Sequence, residues 1–237
     1  MVQYAGGKAR IGKKIHDCIM DYEKEKTGYN KLPYFEPFVG MGGVMRHFAE
    51  DLRENITICD REECITSFWK ELKEGWKPHE VSKEEYINVK NSNVYNALYA
   101  FCCYGCSYFG SKWTHYYENC MKSSLKRVMK FNYVKILKNT TVLDHKSYID
   151  HEPVGNICYC DPPYTNSSFD KRRGNLLDFD TDLFWETMRR WSENNIVIIS
   201  EREAPDDFME ILSFERVNTF NKKTIAEKLF VKLIAQG

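Results

Sequence analysis

The chain has 237 residues, of which 43% are hydrophobic, and 34 Lys and Arg stand against 34 Asp and Glu, so its formal net charge is zero. That length fits one domain with an insertion, or two small lobes sharing a core, and a zero total argues neither for nor against nucleic acid because the distribution decides. No apolar run reaches about 18 residues and the opening MVQYAGGKAR has no apolar core, so neither a membrane-spanning helix nor a secretory leader is expected, and the chain reads as cytoplasmic.

Residues 1–20 read as a glycine turn, YAGGK, followed by a basic amphipathic helix starting near Arg10. Residues 33–60 read as a βαβ unit: a strand over 33–39, a break at Gly40, Gly42 and Gly43, a helix over 44–52, and the short run NITIC ending at Asp60. From 64 to 139 helical periodicity dominates, with several aromatics and no clear strand. Short strands return at 140–143 and 156–160. A helix is expected over 181–194, where Leu183, Phe184, Trp185, Met188 and Trp191 recur at helical spacing. NIVIIS at 195–200 is the clearest buried strand. A further helix is expected over 206–212, after Pro205, and β-type runs at 214–219 and 228–234 close the chain. Strands alternating with helices imply an α/β sheet, so 1–63 and 140–237 are assigned to one α/β domain and 64–139 to a helical insertion.

Nine cysteines in a chain without a leader read as reduced, mostly buried thiols. The alternative is a zinc site on the pair Cys103 and Cys106. It lacks a second such pair, with Cys120 and His115 only loosely placed to complete it, and no metal is expected.

The strongest motif is Asp161-Pro162-Pro163-Tyr164, directly after the strand at 156–160. A strand ending there puts a carboxylate at the carboxyl edge of the sheet, where open α/β sheets bind ligands. Two prolines stiffen the backbone and leave carbonyls free to accept. An aromatic amine would then meet two acceptors, the Asp161 carboxylate and the Pro162 carbonyl, with Tyr164 as a flat surface for its ring. Such an amine is a poor nucleophile because its lone pair is conjugated. Holding both hydrogens favours a more tetrahedral nitrogen aimed at an electrophilic methyl group, which suits methyl transfer. The plain alternative is a surface turn.

The second feature is Glu36-Pro37-Phe38-Val39-Gly40-Met41-Gly42-Gly43. Glycines between strand and helix let a ligand approach the backbone, and Asp60, 20 residues after Gly40, can accept both hydroxyls of a ribose. The last glycine of the dinucleotide fingerprint is replaced by Met45, so a structural glycine turn remains open. In Tyr4-Ala5-Gly6-Gly7-Lys8 the lysine offers a cation for the carboxylate of S-adenosylmethionine, or is simply solvated.

Together YAGGK, FVGMGG and DPPY resemble the Dam-type, phage-like family of DNA adenine N6-methyltransferases. NALYAFCCYGCSYFGSKW at 96–113 is similar to that family's aromatic- and glycine-rich segment, and Ser147-Tyr148, Ile199-Ser200-Glu201 and Glu227-Lys228-Leu229-Phe230 also look like it. The resemblance implies a Rossmann-like methyltransferase sheet binding S-adenosylmethionine, with 64–139 as the target-recognition insertion. Carried over, Tyr4, Lys8, Glu36, Pro37, Phe38, Gly40, Asp60, Ser147, Tyr148 and Asp161 would contact the cofactor. Asp161, Pro162, Pro163 and Tyr164 would hold a flipped-out adenine. Ser147 departs from relatives with an acidic residue there. The implied partner is double-stranded DNA, with a cognate restriction endonuclease and a monomer or weak dimer compatible with the reading.

DNA needs local positive charge. Residues 111–139 supply it through Lys112, Lys122, Lys126, Arg127 and Lys130, interleaved with Trp113 and other aromatics. Arg10 and Lys13 form a smaller cluster, and Lys171 and Arg172 follow DPPY on a polar loop. The same stretch also fits a helix packed on one face and solvated on the other. Methylation of RNA or of cytosine N4, and a catalytically silent DNA-binding module, are the competing readings.

Overall fold

A computed structural model describes residues 2–163, 179–217 and 224–233. The fold is α/β and Rossmann-like: a seven-stranded sheet in the order β3-β2-β1-β4-β5-β7-β6. The strands are β1 (Tyr34–Glu36), β2 (Ile56–Ile58), β3 (Thr140–Val142), β4 (Ile157–Cys160), β5 (Ile196–Glu201), β6 (Phe208–Val217) and β7 (Thr224–Lys232). The chain forms two compact units, Met1–Asp17 with Phe38–Tyr148, and Cys18–Pro37 with Ile149–Gly237. Helix α1 (Gly12–Thr27) begins in the first and ends in the second.

In the first unit β2 and β3 pair in parallel, Ile56 opposite Thr140 and Ile58 opposite Val142. Helix α2 (Met45–Glu50) buries Met45, His47, Phe48 and Ala49. It is shorter than the helix expected over 44–52, because Leu52 takes a left-handed φ of 52° and the Arg53 N–H turns back to the Phe48 carbonyl. Helix α3 (Glu63–Glu74) buries Cys64, Ile65, Phe68, Trp69 and Leu72, one continuous face at helical spacing. Each such large apolar side chain stabilises by about 1.5–3 kcal/mol. Gly75 ends the helix at φ 100°, with the Trp76 N–H on the Glu71 carbonyl. The rest of 64–139 is helical as expected: α4 (Lys83–Lys90), α5 (Ala97–Ala100) running into a π turn (Phe101–Gly105), a 3₁₀ turn (Tyr108–Gly110), α6 (Glu118–Met129) and α7 (Tyr133–Ile136). Cys102, Cys103 and Cys106 are buried there, and burial raises the Cys103 thiol. Among the described residues no group of three His, Cys, Asp or Glu is disposed to hold a metal ion.

In the second unit β4 lies between β1 and β5, parallel to both. All four residues of β4 are buried, which is why ICYC reads as an unbroken apolar run. Helix α8 (Thr181–Trp191) starts on Asp180, whose carboxylate accepts the Leu183 N–H, and buries Phe184, Trp185, Met188 and Trp191. The Arg189 guanidinium grips Asp207 with two bonds of 2.6 and 2.8 Å.

The helix expected over 206–212 is a strand. The Phe208 N–H closes a turn on the Pro205 carbonyl, and the chain then runs antiparallel to β7, with Phe208 opposite Lys232. The apolar spacing of Phe208, Ile211 and Leu212 mimics a helix because a register shift between Glu210 and Leu212 breaks the strict alternation of a strand.

Gly42 has φ +65°, and a Cβ there would lie 2.7 Å from Trp69 Cζ2, whereas Gly28 has φ +71° with nothing within 4 Å. Gly42→Ala is therefore expected to cost about 3 kcal/mol or more and Gly28→Ala only about 1–2 kcal/mol, as read by urea denaturation. Equal losses would show that the Trp69 packing does not constrain the turn.

Candidate active site

In the first unit the glycine turn and the end of β2 are tied through one carboxyl group. Asp60 Oδ2 accepts the Gly40 N–H at 2.9 Å, and Asp60 Oδ1 accepts the Glu62 N–H at 2.9 Å. The other side of the Gly40 peptide is held as well, its carbonyl accepting from Trp69 Nε1 at 2.8 Å. Gly40 has φ +47°, a conformation costly for any side chain, and a Cβ on it would meet the Tyr4 ring at 3.2 Å. Asp60 keeps part of its surface but is otherwise surrounded by protein. Burial raises its pKa from 3.8 to about 6, against the two backbone N–H groups, which favour the charged form.

The N-terminal turn packs on this one backbone to backbone. The Gly7 N–H closes on the Tyr4 carbonyl at 3.1 Å. A Cβ on Gly43 would lie 2.9 Å from the Lys8 nitrogen, and one on Gly12 would lie 2.0 Å from the Gly43 oxygen. Lys8 is only 5% exposed. Phe38 and Tyr148 share a ring contact at 5.2 Å, with part-exposed Ser147 beside it. Tyr4 and Asp60 thus meet at the Gly40 peptide, Lys8 packs on Gly43 further along the same turn, and Phe38 and Tyr148 form a separate contact.

In the second unit Glu36 ends β1 buried, and its Oε2 accepts the Tyr34 hydroxyl at 2.6 Å. Pro37, also buried, follows it. On the neighbouring strand β4 ends at Cys160, followed by part-exposed Asp161, buried Pro162 and part-exposed Pro163. The strand order reverses between β1 and β4, the position at which open α/β sheets bind ligands at their carboxyl ends. A cavity of about 190 Å³ opens on the β5 side of Pro162, with Phe184, Trp185, Glu201 and Arg202 among its walls. Helical spacing marks Phe184 and Trp185 only as core residues, and Glu201 is marked only by the resemblance of Ile199-Ser200-Glu201. Tyr164, Lys171 and Arg172 lie outside the described residues.

Part of the expected positive charge is matched internally. Lys112 donates to Glu62 at 2.9 Å, Lys13 to Asp17 at 2.8 Å, and Lys122 pairs with Glu118 one turn earlier on α6. Trp113 is packed, its indole N–H on the Tyr99 hydroxyl at 3.1 Å and the two rings 4.9 Å apart. Arg10, Lys126, Arg127 and Lys130 are exposed. Lys130 lies over the Phe131 ring at 5.7 Å, and Lys126 and Arg127 have no ion pair among the described residues.

No family model matches the sequence, and no curated protein does. Solved structures with a similar layout include the magnesium protoporphyrin IX methyltransferase of Synechocystis PCC 6803 with bound S-adenosylmethionine, at 9% identity and a TM-score of 0.41, covering 94% of this chain and 81% of that one. Another is the rRNA methyltransferase aviRa of Streptomyces viridochromogenes, at 7% identity and a TM-score of 0.41, covering 92% and 84%. Likeness at this level is one of layout alone, and the chemistry rests on this chain's own residues.

A carboxyl with a pKa raised to about 6 keeps its proton in the native state where the unfolded chain has released it. Between pH 3.8 and about 6 this group therefore lowers stability as pH rises. Carboxyl NMR should show Asp60 titrating near 6, and the corresponding slope in the pH dependence of unfolding should vanish in Asp60→Asn. A midpoint near 4 would mean that the backbone N–H bonds outweigh burial.

Proposed function

We propose that this chain is an S-adenosylmethionine-dependent methyltransferase that methylates adenine N6 in double-stranded DNA. The observation that carries the reading is the Asp161-Pro162-Pro163 segment directly after a fully buried strand, at the carboxyl edge where the strand order reverses. A carboxylate and a proline carbonyl at one sheet edge are two acceptors on a stiff backbone. They suit an amino group carrying two hydrogens, and orienting that amine before reaction removes an entropic part of the barrier.

The cofactor fits the donor set of the first unit. A carboxylate has about four acceptor positions. Asp60 uses one on each oxygen for a backbone N–H, leaving one on each for the vicinal hydroxyls of a ribose. Tyr4 and the Gly40 peptide would border the nucleoside, and Lys8 would face its carboxylate. S-adenosylmethionine, when bound, supplies an electrophilic methyl group. The chain's own residues bind and orient the amine.

The DNA reading is supported by exposed Lys126, Arg127 and Lys130 at the end of α6, with Arg10 as a further cation. Lys112, Lys122 and Trp113 have protein partners and contribute less to it. Tyr164 remains the proposed stacking surface for the base, and Lys171 and Arg172 proposed phosphate contacts.

Mass spectrometry of nucleosides, after incubating unmethylated DNA and RNA with the protein and S-adenosylmethionine, should show N6-methyladenine in DNA. Asp161→Ala should lower the rate by at least about a hundredfold while DNA affinity stays within about threefold. N4-methylcytosine, methylated RNA, or an Asp161→Ala variant at full rate would each overturn the reading. A Lys126→Ala, Arg127→Ala, Lys130→Ala variant should bind DNA more weakly. Its slope of log affinity against log salt should be shallower by about 0.9 for each phosphate that is no longer neutralised. An unchanged slope would place the DNA elsewhere.

A further inference from the structure

One carboxylate of the first unit has no part in the chemistry proposed above. Glu62 stands two residues beyond Asp60 and caps the start of α3, and its backbone N–H is one of the two that hold Asp60. Its side chain accepts from two donors of a distant part of the chain and, at 4.0 Å, from the Cys64 thiol. Oε2 accepts the Tyr104 hydroxyl at 2.6 Å, and Oε1 accepts Lys112 Nζ at 2.9 Å. Tyr104 is 3% exposed, so its bond to a carboxylate is charge-assisted and little screened. The Lys112 pair keeps 37% and 26% of its side-chain surfaces and is worth less.

Both donors belong to a segment of unusual backbone. Tyr104 lies in the π turn 101–105, and between the donors Phe109 takes φ 54°, with Trp113 at φ 47° just beyond Lys112. Such conformations persist only where the surroundings over-determine them, and π turns recur at functional sites. The same segment touches the N-terminal turn. The Tyr104 ring meets Tyr4 edge-on at 4.8 Å, and the Ala5 N–H donates to the Gly110 carbonyl at 3.0 Å. Gly110 admits no side chain, since a Cβ would lie 2.6 Å from the Gln3 carbonyl.

We infer that Glu62 is a positioning residue: its carboxylate clamps residues 101–113 onto the loop that carries Asp60, and so presets Asp60 and Tyr4 for the nucleoside of the cofactor. The inference rests on the cofactor reading proposed above. A site already held in its binding geometry loses less conformational freedom on binding, and a clamp remote from the ligand therefore raises affinity. Glu62 acts through Asp60 and Tyr4, so it governs cofactor binding and leaves the methyl-transfer step alone.

The test is calorimetric titration of the full chain with S-adenosylmethionine, well below the thermal midpoint of each variant, with midpoints recorded in parallel. Glu62→Ala is expected to weaken binding about tenfold and Tyr104→Phe about threefold to tenfold. Glu62→Gln should lose less than Glu62→Ala, because its amide oxygen still accepts from Tyr104. KM for the cofactor should rise while kcat stays within about twofold. Tyr104→Phe added to Glu62→Ala should weaken binding no further, since its partner is already gone. Lowered midpoints with unchanged cofactor affinity, or additive losses in the double variant, would overturn the inference and leave Glu62 a purely structural residue. Asp60→Asn is the control for the underlying reading: unchanged affinity there would overturn the cofactor site and the clamp with it. Weakened Asp60→Asn binding beside unaffected Glu62 and Tyr104 variants would overturn the clamp alone. If Glu62→Ala does not fold, Tyr104→Phe and Lys112→Met decide by the same criteria.

Discussion

The Asp60 carboxyl is the point on which the first unit's geometry turns. It accepts one N–H from the glycine turn and one from the start of α3, and the Trp69 indole fixes the opposite side of the Gly40 peptide. A buried carboxyl is costly to ionise, and two backbone donors recover part of that cost. The glycines follow from this constraint. A peptide held on both sides at a left-handed φ, with a tyrosine ring 3.2 Å from where a Cβ would stand, strains any side chain placed on it. The N-terminal turn is then drawn onto the same place, because Gly12 and Gly43 allow backbone to meet backbone.

The second unit solves a different problem, holding a stiff acidic segment at the end of a strand. Buried Ile157–Cys160 is paired on both sides in parallel, so the strand cannot shift without breaking two ladders. Aromatic packing supports it, Phe35 against Trp191 at 5.9 Å and Trp185 against Phe208 at 4.8 Å. The two prolines then carry that rigidity past the strand end to the carbonyl of Pro162.

Charge in this chain is first a structural resource. The zero total conceals a basic stretch at 111–139, but two of its cations, Lys112 and Lys122, are paired with carboxylates of the fold. Counting basic residues along a helical segment overestimates the field available to an anionic partner, because a cation already matched contributes little at distance. Among the described residues, Lys126, Arg127 and Lys130 at the end of α6 stay exposed, as does Arg10.

The sequence by itself determined the elements whose signals are local. Helix α8 shows in the spacing of Phe184, Trp185, Met188 and Trp191, strand β5 in an unbroken apolar run, and the glycine turn in residues that only a left-handed backbone requires. The acidic turn after β4 was legible for the same reason, since proline acts on its own and its neighbour's backbone. Tertiary structure decided whatever depends on partners far away in the chain. Residues 206–212 carry helix-like spacing, yet they form a strand because β7 offers a complete ladder. Lys112 reads as a free cation until Glu62, 50 positions earlier, is brought beside it, and Tyr104 finds the same carboxylate across 42. Proline aside, local propensity is a matter of about 1 kcal/mol per residue at most. A ladder of backbone bonds or a buried hydrogen bond to a charged group outweighs it, and neither is written in the residues that stand next to each other.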